Sequence, residues 1–323
     1  MAEPEASSRL LREIFLAGFT SGLPAENAAW AAARLARHMS DVRLAAGAVL
    51  YRQDEPADAH YFVVSGAIRL EAEGKPPWVL GERSLVGTLD LTLERPRARN
   101  AVAVRDSFLL RMPADDWQDL LEDNFELAML AIHGLSEGIN RLRAELGDFE
   151  SDADAPAPDI PAAGLLSRPD RDVGRPPAPL GFMDRVFVLQ GLAMLAGGEM
   201  QALANLASQA TEVSFAAGEE LDPRHVNDAL YIVVQGAVRA SLPESTVERT
   251  YGPGRLVFGA AASGSKDLGY ETTTTEGTRV LRIVREDFND VLEEHFGMAR
   301  ACLKALACER EILVDEKERR AQT

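Results

Sequence analysis

The sequence predicts an α+β protein, mainly β, made of two tandem jelly-roll (double-stranded β-helix) domains, each flanked by helices. Three observations predict it. The stretch Val42-Arg-Leu-Ala-Ala-Gly47 followed by Asp58-Ala-His-Tyr61-Phe-Val-Val-Ser-Gly66-Ala-Ile-Arg69 returns as Val213-Ser-Phe-Ala-Ala-Gly218 followed by Asp228-Ala-Leu-Tyr231-Ile-Val-Val-Gln-Gly236-Ala-Val-Arg239. Gly47 and Gly218 stand 171 residues apart (218 − 47) and Gly66 and Gly236 stand 170 apart (236 − 66), so one register holds with a single deletion. That period far exceeds the roughly 20 to 50 residues of stacked solenoid repeats, so each copy needs its own core. Second, glycines punctuate short Val/Ile/Tyr/Phe runs, as at Tyr61–Val64 and Tyr231–Val234, the pattern of a barrel or jelly roll. Third, helical periodicity flanks each β block.

In chain order, helical patterns cover Ala25–Met39, then Ala114–Leu146 after the first β block, then Met200–Ala210 and Arg285–Val314 around the second. The expected domains are 1–149 and 182–323. Between them, 150–181 carries Pro156, Pro158, Pro161, Pro169, Pro176, Pro177 and Pro179, which oppose regular structure and read as a linker.

Composition narrows the function. At 323 residues the chain has room for two cores. Its 34 basic and 51 acidic residues give a net charge of −17, an averaged field that repels nucleic acid and anionic membrane. The N-terminus, Met1-Ala-Glu-Pro-Glu, lacks a signal-peptide pattern and no apolar run has the length of a membrane helix, so a cytoplasmic protein is expected. Cys302 and Cys308 lie six apart on a helical pattern, hence on different faces, and both read as packing residues. His38, His60, His133, His225 and His295 are scattered without the pairing that a metal-dependent cupin needs. Neither a metal set nor a nucleophile, base and orienter arrangement is visible, so the expectation is a non-enzymatic protein with no cofactor.

Further signals are the phrase Phe19-Thr-Ser-Gly-Leu-Pro24, the Ala45-Ala-Gly47 step, and the closing strand Asp106-Ser-Phe-Leu-Leu-Arg111 with Asp116-Trp117 after it. Thr278-Arg-Val-Leu-Arg-Ile283 and Glu286-Asp-Phe288 repeat the closing pattern. With the repeat, this order of elements resembles the cyclic nucleotide-binding domain family over nearly the whole chain. The resemblance implies a phosphate cassette: a short helix whose free N–H groups face the anion, one arginine from the next strand, and a glutamate that accepts from the ribose.

The first copy reads Val86-Gly87-Thr88-Leu89-Asp90-Leu91, four further residues, then Pro96-Arg97-Ala98-Arg99-Asn100. By the resemblance, Gly87, Thr88, Leu89, Arg97 and Ala98 are the candidate ligand-binding residues. Thr88 stands where the family has its ribose-binding glutamate, and Asp90 replaces a small residue beside the phosphate, where a carboxylate opposes an anion. Arg97 therefore has two readings: it grips a phosphate, or Asp90 or Glu94 neutralises it inside a former pocket. Arg99, two residues on, shares its face along a strand or is solvated. The second copy opens on Gly252-Pro-Gly-Arg-Leu-Val-Phe258-Gly259, but Ala260 takes the glutamate position and Leu268, Gly269 and Tyr270 fall where Pro, Arg and Ala belong, with Lys266 in the loop before them. It is expected to be structural.

Ala131, Leu135, Ile139, Leu142 and Leu146 form a coiled-coil-like stripe, read either as packing on the chain's own roll or as a surface for interdomain docking or homodimerisation. Asp315–Arg320 reads as a solvated helix end. From Gly297 onward only a closing helix and tail remain, too little for a helix-turn-helix DNA reader. The expected function is a regulatory or sensor protein with a cyclic nucleotide as candidate ligand of the first domain and a protein partner. The alternative is a ligand-free pair acting as a protein scaffold.

Overall fold

A computed structural model describes residues 12–13, 16, 25–146, 179–221, 228–241, 248–259, 262 and 271–322. Compactness divides the chain into Met1–Ala131 with Val314–Thr323, and Ile132–Leu313. The expected linker 150–181, apart from 179–181, lies outside the described residues, as do Phe19–Pro24, Ala260, Lys266 and Leu268–Tyr270.

The first unit is a roll of two four-stranded antiparallel sheets. One has the order β1 (Ser40–Leu44), β8 (Ser107–Pro113), β3 (Ala59–Ser65), β6 (Leu85–Val86); the other runs β2 (Val49–Tyr51), β7 (Asn100–Ala103), β4 (Ile68–Glu71), β5 (Trp78–Leu80). Alternation along the strands builds two cores. Tyr61, Val63 and Leu109 point into the roll with Tyr51, Ile68, Trp78 and Val86. Phe62, Leu110 and Met112 point outward, onto Leu35 and Ala36 of α1 (Ala25–His38) and Leu120 of α3 (Ala114–Glu122). A five-residue helix, α2 (Thr88–Thr92), joins β6 to β7.

The second unit repeats the plan with three-stranded sheets among its described residues: β10 (Ala229–Gln235), β14 (Thr278–Val284), β9 (Thr211–Phe215), and β12 (Glu248–Tyr251), β11 (Val238–Ser241), β13 (Glu271–Thr274). The duplication extends to single hydrogen bonds. Gly47 N–H donates to Ala103 at 2.8 Å and Gly218 N–H to Thr274 at 2.8 Å; Ala114 donates to Asp58 and Arg285 to Asp228. Gly66 and Gly236 are glycine for one reason: φ is positive at both, and a Cβ would lie 2.2 Å from Ser107 Oγ or 2.6 Å from Thr278 Oγ1.

The expected helices form, with differences. The span 114–146 breaks at Asp123–Asn124, where the Asn124 side chain caps the Leu120 carbonyl, so α4 starts afresh at Phe125 and runs to Leu146. The last span breaks at His295, giving α7 (Arg285–Glu294) and α8 (Phe296–Ala321). Met200–Gln209 is α6, preceded by an unanticipated α5 at Phe182–Gln190. Within the second unit, Ile139, Leu142 and Leu146 of the α4 stripe are buried, and the Arg143 guanidinium pairs with Glu309 of α8 while donating to the Phe258 carbonyl at 2.9 Å. Cys302 is buried as expected, whereas Cys308 is exposed.

Candidate functional site

β6 delivers the chain to Gly87, whose φ of 79° turns it into α2 and makes it that helix's N-cap. Asp90, the second departure from the family pattern, is 7% exposed and accepts from Arg95 Nε at 2.9 Å. Arg95, at the far end of the same turn, takes the Asp90 carboxylate, so Asp90 does not neutralise Arg97 as the second of its two sequence readings had it. Glu94 adopts a left-handed backbone conformation at φ 51° and is exposed.

Arg97 is 1% exposed. Its Nη1 donates to the Gly87 carbonyl at 3.0 Å, its Nη2 donates to the Ala59 carbonyl of β3, and its plane lies 4.2 Å from the Tyr51 ring centroid. Its nearest carboxylate is Asp58 at 3.7 Å, which already pairs with Arg111 at 2.8 Å. Burial, which outweighs the nearby Arg97 charge, raises the Tyr51 phenol well above its ordinary value, so it stays neutral. A Cβ at Gly87 would sit 2.4 Å from Arg97 Nη1, so the glycine is required by the arginine as well as by the turn.

Of the five candidate residues, the structure brings Gly87, Leu89 and Arg97 together. Leu89 packs on the cluster containing Tyr51, against which Arg97 stacks. Thr88 follows the N-cap, and its Oγ1 is buried without a hydrogen-bond partner among the described residues. Ala98 is half-buried between the two arginines.

Residues 41–124, which hold this whole cassette, match the family model described as the cyclic nucleotide-binding domain. That segment is a cyclic nucleotide-binding domain. Among curated proteins, the chain is 39% identical over 75 residues to neuropathy target esterase sws of Drosophila grimshawi and 37% identical over 75 residues to that of Drosophila melanogaster. In each case this is 22% of the chain and about 5% of the relative's length. Among solved structures, it is similar to the regulatory domain of Toxoplasma gondii protein kinase A with cAMP, at 16% identity, TM-score 0.31, over 88% of this chain and 92% of that one. It is also similar to the regulatory subunit of a cAMP-independent protein kinase A from Trypanosoma brucei, at 14% identity, TM-score 0.34, over 98% and 92%.

Sequence reasoning missed two features of the cyclic nucleotide-binding domain. His60, on β3 beneath the cassette, is fully buried between Phe62 and Trp117, with both ring nitrogens unpartnered among the described residues. Burial first, and the Arg97 charge second, push its pKa down to about 3. Arg99 is 3% exposed rather than solvated, and its plane lies 4.1 Å from the Trp78 ring centroid. Its signal was present, since it occupies a position where the resembled pattern carries a small residue. Among the described residues, no group of three or more His, Cys, Asp or Glu is arranged to hold a metal ion, and no helix is long and apolar enough to cross a membrane.

Proposed function

We propose that the chain is a non-catalytic regulatory protein whose first roll binds the phosphate of a cyclic nucleotide through Gly87, Thr88, Leu89, Arg97 and Ala98, and passes the change to a protein partner. The observation that carries this reading is the diversion of Asp90 to Arg95, which leaves Arg97 bonded mainly to two neutral carbonyls. An anionic oxygen makes charge-assisted bonds roughly twice as strong as those to a neutral acceptor. A phosphate arriving at α2 therefore displaces the Gly87 carbonyl from Nη1. Releasing Gly87 frees the hinge at which β6 becomes α2, so binding and movement are one event. The missing ribose carboxylate at Thr88 makes the complex weaker than a full cassette would give, by about one to two decades for a lost charged hydrogen bond.

Calorimetric titration with cyclic AMP and cyclic GMP tests this reading. Saturable binding is expected, and Arg97→Lys, which keeps the charge but loses the fork, is expected to weaken it at least tenfold. Arg97→Ala is less informative, because it removes two carbonyl bonds and an aromatic contact from the unliganded fold. No heat and no thermal shift at millimolar nucleotide would sink the reading. A second reading, a protein-binding scaffold without nucleotide, is favoured by the near-complete enclosure of Arg97 and gains from that negative result.

A further inference from the structure

The charged tail at Asp315–Arg320 was expected to be solvated; Lys317, Arg319 and Arg320 are exposed, but Asp315 is partly buried and Glu316 buried. Val314–Thr323 belong to the same compact unit as the first roll. Val314 packs on the cluster of Tyr51, Trp78 and Val86 that also carries Leu89. Asp315 Oδ1 accepts from Trp78 Nε1 at 3.1 Å and from Arg99 Nη2. Glu316 next to it is 8% exposed and bound by Arg319 and Arg320.

We propose that Arg99 and Trp78 form an anion receptor, separate from the Arg97 cassette, which the chain fills from its own C-terminal helix with the Asp315 carboxylate. The receptor side is held by contacts other than those to the tail: Trp78 is on β5, Arg99 directly precedes β7, its guanidinium lies over the Trp78 ring, and Arg99 Nη1 donates to the Pro76 carbonyl at 2.5 Å. Among the described residues Arg99 has no other acidic partner. With the tail removed, the roll would hold a buried cation without a counter-charge, an expensive state that any available carboxylate relieves. The occupant, in contrast, is a single side chain, 28% exposed, near the end of a helix, where local opening requires little. A charged receptor closed by a partly exposed carboxylate of the same chain is an autoinhibitory contact. An external carboxylate or phosphate reaches Arg99 only when Asp315 leaves. The inference stands independently of nucleotide binding at Arg97.

Hydrogen exchange on the full-length chain, followed by mass spectrometry of peptides covering 311–323, tests it. In wild type the tail amides should be protected well beyond those of a free helix end. Asp315→Asn, which keeps shape and removes charge, should raise their exchange at least tenfold while peptides covering 100–113 stay unchanged. Arg99→Gln should do the same from the other side. Exchange in either folded variant equal to wild type overturns the proposal. If neither variant folds, wild type decides: protection of 316–321 supports the receptor, and exchange at free-helix rates overturns it.

Discussion

At single residues, the fold places polar groups where only one protonation state or one side chain is tolerated. His60 is the clearest case. Its folded pKa of about 3 lies below the ordinary 6.5, so the native state holds it neutral while the unfolded chain takes up a proton. Its stabilising effect is complete above pH 6.5 and is lost as pH falls from 6.5 toward 3. The full difference is on the order of 5 kcal/mol. Urea unfolding of wild type at pH 7.5 and pH 5 should show roughly 2 kcal/mol of this loss, and His60→Leu should flatten the pH slope without lowering stability at pH 7.5, because it removes two buried nitrogens that lack partners. The glycines give a paired prediction. Gly66→Ala forces a Cβ into the Ser107 backbone at 2.6 Å and should cost about 3 kcal/mol, whereas Gly47→Ala meets nothing within 4 Å and should cost only the left-handed backbone strain, about 1 to 2 kcal/mol. Equal losses in thermal unfolding would contradict the steric account.

Among the elements, the buried ion pair between α4 and α8 in the second unit sets the expectation. Glu309 is 1% exposed and pairs with Arg143, which also holds the Phe258 carbonyl beside Gly259. Glu309→Gln removes the carboxylate that faces a buried guanidinium and should destabilise by about 3 to 5 kcal/mol, while Arg143→Met combined with Glu309→Leu should cost clearly less than the sum of the single changes. A double-mutant cycle in urea checks this, and additive losses would mean that the pair is not coupled. Such pairs also mark what the sequence could reveal. Strands and turns were legible, because the 171-residue offset places Gly218 on Gly47 and their hydrogen bonds coincide to the tenth of an ångström. The Asp90–Arg95 bond was within reach, lying five residues apart across a short helix. Arg99 and Asp315, 216 residues apart, were not, since a charged run looks the same whether water or an arginine receives one of its carboxylates. The enclosure of Arg97 by carbonyls was equally hidden, because backbone acceptors leave no trace in side-chain identity.

For the whole molecule, the two copies have diverged in chemistry more than in shape. Saturating cyclic AMP should bind no more than once per chain, because the sequence retains no basic residue at 268–270 to balance a phosphate. A measured stoichiometry of two would show that the second roll recognises its ligand by other means. The net charge of −17 adds a separate constraint, since any polyanionic partner meets a repulsive field that salt relieves. One distribution of residues has a practical consequence. All three tryptophans, Trp30, Trp78 and Trp117, lie in the first unit: the first is half exposed beside Arg34, the second sits under Asp315, and the third stands against His60. Indole emission therefore follows the first roll alone, while far-ultraviolet circular dichroism sums both. Recorded on one sample during denaturation, the two signals coincide only if the duplicated halves melt as one cooperative system, so the chain carries a built-in optical measure of how independent its two copies have become.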